Sequence, residues 1–171
     1  PSKFDIKKLL YISKKHLMAK PVNEIHKSLL RYMEIYKSIK ISESCSKKLR
    51  LFLPFVVERC STLEEIFESS LFLFEEENVR VKKVSALLDD SSKKILAEFV
   101  AAIKSINLIW NSEYLNNFIN TYCKKNNLKF RDIGAPLRIA LTGSTSSPSI
   151  VHIMEILGEK NTLDRLNLNI D

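Results

Sequence analysis

An all-α fold is predicted by three observations. Apolar residues recur at three- and four-residue spacing along most of the chain, period-two alternation is nearly absent, and three glycines and five prolines punctuate 171 residues. An all-β chain would instead show turn signals about every 8 to 12 residues. The 45% apolar content suffices for a sizeable core in one ordinary domain or two small ones. No apolar run approaches the roughly 18 to 20 residues of a membrane span, so no membrane association is expected.

The helices follow in order. Ile6, Leu9, Leu10 and Leu17 mark the first amphipathic stripe. Pro21 suits a break or a helix start ahead of Val22, Ile25, Leu29, Met33 and Tyr36. The run LFLPFVV at 51–57 is too apolar for a surface and predicts a buried helix in which Pro54 forces a kink or a restart. Ser61-Thr62-Leu63-Glu64-Glu65 offers overlapping capping boxes before Leu63, Ile66, Phe67 and Phe74. Asp90-Ser91 and Ser112 are the expected N-caps of two further stripes. The first is Ile95, Phe99, Ile103, Ile106 and Trp110; the second is Tyr114, Leu115, Phe118, Ile119 and Tyr122. Asn126-Asn127 suits a stop after the latter, near 125. Trp110 and Tyr114 are base-stacking candidates by type, while their spacing says core.

Charge is unevenly spread. Residues 1–50 hold 13 basic and 4 acidic side chains, whereas 51–80 hold 2 and 7, within a net charge of +7. The basic N-terminal third favours a polyanionic partner such as nucleic acid. Lys7 and Lys14, and Lys8 and Lys15, lie two helical turns apart and can line one face; a solvated face has the same pattern. Cys45, Cys60 and Cys123 lie far apart without a CxxC pair or neighbouring histidine, so neither a disulfide framework nor a zinc site is suggested and buried thiols are expected. His16, His26 and His152 have no acidic partner at a useful spacing, and no carboxylate pair or serine triad is apparent. Glu75-Glu76-Glu77 reads as a solvated helix end or loop. The start, PSKFDIKKLL, carries no signal-peptide core and looks like the beginning of a fragment.

The segment from Asp132 to Ile150 has a different texture, a helical pattern followed by a hydroxyl-rich turn and a new helix. Ile133, Leu137, Ala140 and Leu141 seat the first helix; Ser147 as N-cap and Pro148 at the first helical position open the second, and Gly158 closes it. Hydroxyls donate and accept at once, and a helix N-terminus aims free N–H groups at the same place, so the turn is a candidate seat for phosphates or base edges. Arg138, one turn earlier, offers a planar fork of donors; a salt bridge or plain surface position would also suit it.

The stretch PLRIALTGSTSSPSI followed by MEILGEKNTLDRL is similar to the C-terminal signature of bacterial glutamyl-tRNA synthetases. FDIKKLLYISKKHL resembles that family's helix after the catalytic core, and ERCSTLEEIFESSLFLFEEE its middle helical segment. Tyr11 and Ser13 stand where the family usually has Trp and Asn, and Ser147 and Ser149 where it has Thr and Gly. The resemblance implies a helical bundle divided as 1–22, the end of a stem-contact domain, then 23–82 and 83–171, two anticodon-binding subdomains. It further implies tRNA as partner, a monomer, a cytoplasmic setting, and no cofactor in this chain. A class I catalytic domain with HIGH-like and KMSK-like motifs would bind ATP, with Mg, and glutamate in the full-length ligase. Neither motif occurs here, and Lys82-Lys83-Val84-Ser85 is a chance echo of the second.

Carried over by position, Arg138 matches the arginine that contacts anticodon bases, and Ser147 and Ile150 match positions lining that site. Arg59 corresponds to the arginine that reads the first anticodon base in discriminating members; a C-terminal helix charge is the plain alternative. Thr142 and Ser144 are further candidates for phosphate or base contacts. Two rival readings stay open: a non-discriminating ligase that also charges glutamine tRNA, and a helical scaffold binding proteins through the acidic 58–77 region.

Overall fold

A computed structural model describes residues 5–74 and 87–170. Every regular element among them is helical, and two compact units divide the chain at Val79 and Arg80. The boundary expected near 82, the Glu75–Glu77 run and Lys82–Ser85 lie outside the described residues.

The first unit contains α1 (Ile6–Ala19), α2 (Val22–Tyr32), α3 (Glu43–Val56) and α4 (Leu63–Ser70). Side chains of α2, α3 and α4 interdigitate around Ile25, Leu29, Leu49, Phe52, Leu53 and Ile66, all essentially inaccessible. Each such side chain contributes about 1.5 to 3 kcal/mol through burial. Phe52 and Phe72 meet edge to face at 5.2 Å, within the favoured range for aromatic pairs. The end of α2 loosens into a π turn, Met33–Lys37, which stops where Ser38 takes a left-handed conformation with φ 55°.

One expectation for this unit changes, and of the two offered for Pro54 the restart does not occur: helix α3 runs on to Val56 and tightens into a 3-10 turn at Val57–Arg59. The 51–57 run is amphipathic rather than wholly buried, with Leu51 60% exposed and Phe52, Leu53, Val56 and Val57 inside. Helix α1 buries only Leu17, leaving Ile6, Leu9, Tyr11, Ile12 and Met18 at the surface. It meets the 3-10 turn, and the Ser13 hydroxyl donates to the Ser61 carbonyl at 2.5 Å.

The second unit contains α5 (Asp90–Lys104), α6 (Ser112–Lys125), α7 (Phe130–Thr142), α8 (Ile150–Leu157) and α9 (Glu159–Ile170). Helix α7 is its hub, packing against α5, α6, α8 and α9. Ile133, Leu137, Ala140 and Leu141 are buried as their spacing predicts. Pro136 lies inside α7 and buried, and its missing N–H is an interior cost of about 3 kcal/mol that packing on four neighbours must offset. Both early caps lie one residue before the expected ones. Asp89 accepts from the Ser92 amide at 2.8 Å, and Asn111 accepts from Tyr114 at 2.9 Å. In each case two competent caps are adjacent, and the side chain that reaches the third amide wins.

Candidate nucleic-acid interface

The interface is built where α7 ends. Gly143 closes the helix with φ 70°, a left-handed conformation that glycine adopts without steric cost, and its amide donates to the Ile139 carbonyl at 2.8 Å. The chain then turns through exposed Ser144, Thr145 and Ser146 before α8 begins at Ile150. Helix α8 starts two residues later than expected. Ser149, not Ser147, is the N-cap, and its side chain makes no capping hydrogen bond. Local propensity allowed Ser147 that role, but its hydroxyl is drawn to Arg138 across the turn.

Arg138 is half-buried, and its Nε donates to the Ser147 hydroxyl at 2.9 Å, while that hydroxyl donates to the Pro148 carbonyl at 3.1 Å. No carboxylate pairs with Arg138 among the described residues, and neither terminal nitrogen of its guanidinium has a hydrogen-bond partner there. A guanidinium anchored by Nε still presents two Nη groups, the pair that reads two acceptors on one base edge.

The neighbouring hydroxyls fix the turn. Thr142 Oγ1 donates to the Arg138 carbonyl at 2.8 Å and accepts from the Ser144 amide at 3.3 Å. Ser144 Oγ donates to the Ser146 carbonyl at 2.9 Å and accepts from the Ser146 amide at 3.1 Å. Arg138, Thr142, Ser144 and Ser147 are thus brought together. Ile150 is 1% exposed, so its side chain packs in the core of this unit while the residue itself opens α8 beside the turn. Arg59, exposed at the end of the 3-10 turn, belongs to the first unit and is not part of this turn.

Several contacts escape local sequence rules because their partners are distant in the chain. The Trp110 indole donates to the Met154 carbonyl at 2.8 Å, which ties this half-buried ring to α8. Tyr114 is exposed. From α9, Arg165 donates to the Leu141 carbonyl at 2.9 Å and Asn169 to the Ala140 carbonyl at 3.3 Å. The signal available in the sequence was an Arg and an Asn one turn apart beside the buried Leu166.

The three cysteines are free and buried. Burial pushes the Cys60 and Cys123 thiols up, disfavouring the reactive thiolate. Among the described residues no cluster of metal-ligating side chains is found, and no helix is long and apolar enough to cross a membrane.

The second unit presents a tethered arginine beside a hydroxyl-lined turn, and the family model for the anticodon binding domain matches residues 20–170. The chain belongs to that family. Its relatives include the glutamate–tRNA ligase of Pelagibacter ubique, 34% identical over 99% of this chain and 36% of that protein. Glutamate–tRNA ligase 2 of Anaplasma phagocytophilum is 31% identical over 95% of this chain and 35% of its own length. The chain therefore spans about a third of these relatives. Among solved structures, a glutamate tRNA ligase from Elizabethkingia meningosepticum shares the fold with a TM-score of 0.74 at 19% identity, over 99% of this chain and 33% of that one.

Proposed function

We propose that this chain binds the anticodon loop of a glutamate tRNA and supplies tRNA recognition to a glutamate–tRNA ligase. In that reading the ligase works in the cytoplasm, and its ATP- and Mg-dependent chemistry belongs to residues outside this chain. The observation that carries the proposal is the Arg138 guanidinium, tethered through Nε to Ser147 with both Nη groups unpartnered among the described residues, in a chain matched by the anticodon binding domain. Anticodon bases are unstacked enough to be splayed and read on their exposed edges, which a pre-oriented fork does well.

In this reading Arg138 contacts a base edge, Ser147 orients it, and Thr142 and Ser144 shape the turn and offer acceptors to the backbone. Arg59 is a separate contact, to the first anticodon base. The test is a titration of the chain with glutamate tRNA at fixed salt. Arg138→Ala should weaken binding by about 1 to 3 kcal/mol, the discrimination of one bidentate base contact. Equal affinity of mutant and parent would overturn the assignment. Parallel titration with glutamine tRNA separates a discriminating from a non-discriminating ligase, and Arg59 is tested with a glutamate tRNA altered only at its first anticodon base, against which Arg59→Ala should lose its discrimination. A protein-binding scaffold would show no affinity for any tRNA at low salt while folded.

A further inference from the structure

Near the end of α7 the four successive carbonyls of Arg138 to Leu141 each have a partner, and two of those partners come from α9. Thr142 Oγ1 takes the Arg138 carbonyl at 2.8 Å and the Gly143 amide takes that of Ile139 at 2.8 Å. Asn169 Nδ2 takes Ala140 at 3.3 Å and Arg165 Nη1 takes Leu141 at 2.9 Å. Helix C-termini normally satisfy these groups with water or with the chain that follows. Here a helix beginning sixteen residues beyond Gly143 does so, and in doing so fixes the end from which both Arg138 and the hydroxyl turn depart.

Asn169 is a poor choice for stability alone. It is 2% exposed, and its side-chain oxygen has no hydrogen-bond partner among the described residues. An unpaired buried acceptor costs free energy that a leucine of similar volume would avoid. The useful end is the amide nitrogen, which also donates to the Arg165 carbonyl at 2.9 Å and so links the two α9 residues.

We infer that Asn169 and Arg165 are positioning residues that hold the last turn of α7 so that the Arg138 guanidinium stays docked on Ser147. The inference rests on the tRNA reading for its biological meaning but not for its geometry. Two measurements on the whole chain separate the two. In the ligand-free protein, hydrogen exchange at the Arg138 Nε–H, followed by NMR, should speed up about tenfold in Arg165→Met and in Asn169→Leu, with helix content preserved by circular dichroism. Arg165→Lys, which retains a donor, should restore part of the protection. Unchanged exchange in both variants overturns the inference whatever the ligand.

The second readout is the ratio of affinities for glutamate tRNA and the same tRNA with one anticodon base replaced, measured for each of the three bases in turn. A merely destabilised protein lowers both affinities together, whereas a misplaced arginine lowers the ratio, here by about tenfold. Arg138→Ala combined with Arg165→Met should lose no more discrimination than Arg138→Ala alone, because both act through one guanidinium. Additive losses, or an unchanged ratio in Arg165→Met when Arg138→Ala lowers it, would count against positioning. If Arg138→Ala itself leaves the ratio intact, the anticodon reading fails, and the exchange measurement alone decides whether α9 positions the arginine.

Discussion

The hydrogen bond from Arg138 Nε to Ser147 sets the chemistry of the turn. Ser147→Ala removes the acceptor and frees a long side chain to sample other rotamers, so tRNA affinity should fall less than in Arg138→Ala, by about 0.5 to 1.5 kcal/mol. Ser147→Thr, which keeps the hydroxyl, should bind like the parent in the same titration. His26 gives a second residue-scale prediction. Its Nε2 lies 3.1 Å from the Ser46 carbonyl and 3.0 Å from the Ser46 hydroxyl, and burial, partly countered by the carbonyl, holds its pKa below the ordinary value, with Arg50 adding to the depression. The folded state therefore resists protonation of this ring more than the unfolded state does. Its contribution to stability is fully present above the unfolded value, about 6.5, and is lost as pH falls from there through the lower folded value. Denaturant unfolding between pH 7 and pH 5.5 should show a declining midpoint, and His26→Gln should flatten that decline.

Among elements, α7 concentrates the information. Gly134 sits buried within it, and an added Cβ would meet only the Phe130 ring, at 3.2 Å. Phe130 is 42% exposed and free to rotate by the few tenths of an ångström required. Gly134→Ala should therefore stabilise the chain by about 0.5 to 1 kcal/mol through helix propensity, read as a higher thermal midpoint. A lowered midpoint would mean that the ring cannot move. At the head of α4 the Thr62 hydroxyl accepts from the Glu65 amide at 3.1 Å while Glu65 reaches back to the Ser61 amide at 2.6 Å. Thr62→Ala should cost about 1 kcal/mol.

The element scale also shows what the sequence made legible. Periodicity identified the buried faces of α7, and the Gly158 closure of α8 was readable from the residue alone. The start of α8 was not. Ser147 and Ser149 are equally good caps locally, and the choice is made by an arginine nine residues upstream. The apolar stripe of α1 gave a helix as its spacing predicts, but a period shows that a face is apolar and not what covers it, and Leu17 alone is buried there. The contacts of Arg165 and Asn169 cross from α9 to α7, beyond the reach of any capping rule, whereas the residues gathered at the turn itself were legible through contiguity in the chain.

Across the whole molecule, charge tells a different story by unit than by sequence block. Nearly all of the acidic 51–80 stretch falls in the same unit as the basic N-terminal third, so 1–79 holds 14 basic and 11 acidic side chains while 80–171 holds 13 and 9. Both units are mildly cationic, and local pairing consumes some of the charge, as with Lys37 and Glu64 at 2.6 Å. On α1, Lys7, Lys8 and Lys15 are exposed and Lys14 half-buried, and under the proposed tRNA reading they supply sequence-independent affinity. Replacing Lys7, Lys8, Lys14 and Lys15 by glutamine should shallow the dependence of log affinity on log salt by up to about 0.7 to 0.9 for each phosphate that is no longer neutralised. An unchanged slope would show these lysines to be merely solvated.

Trp110 is the sole tryptophan of the chain, and it is bonded to the helix that the hydroxyl turn leads into. Indole emission responds to polarity and to hydrogen bonding at the ring nitrogen, so the protein carries a built-in optical probe confined to its second unit. Melting of that unit, or the arrival of a ligand that shifts α8, can be followed in native material without attaching a dye.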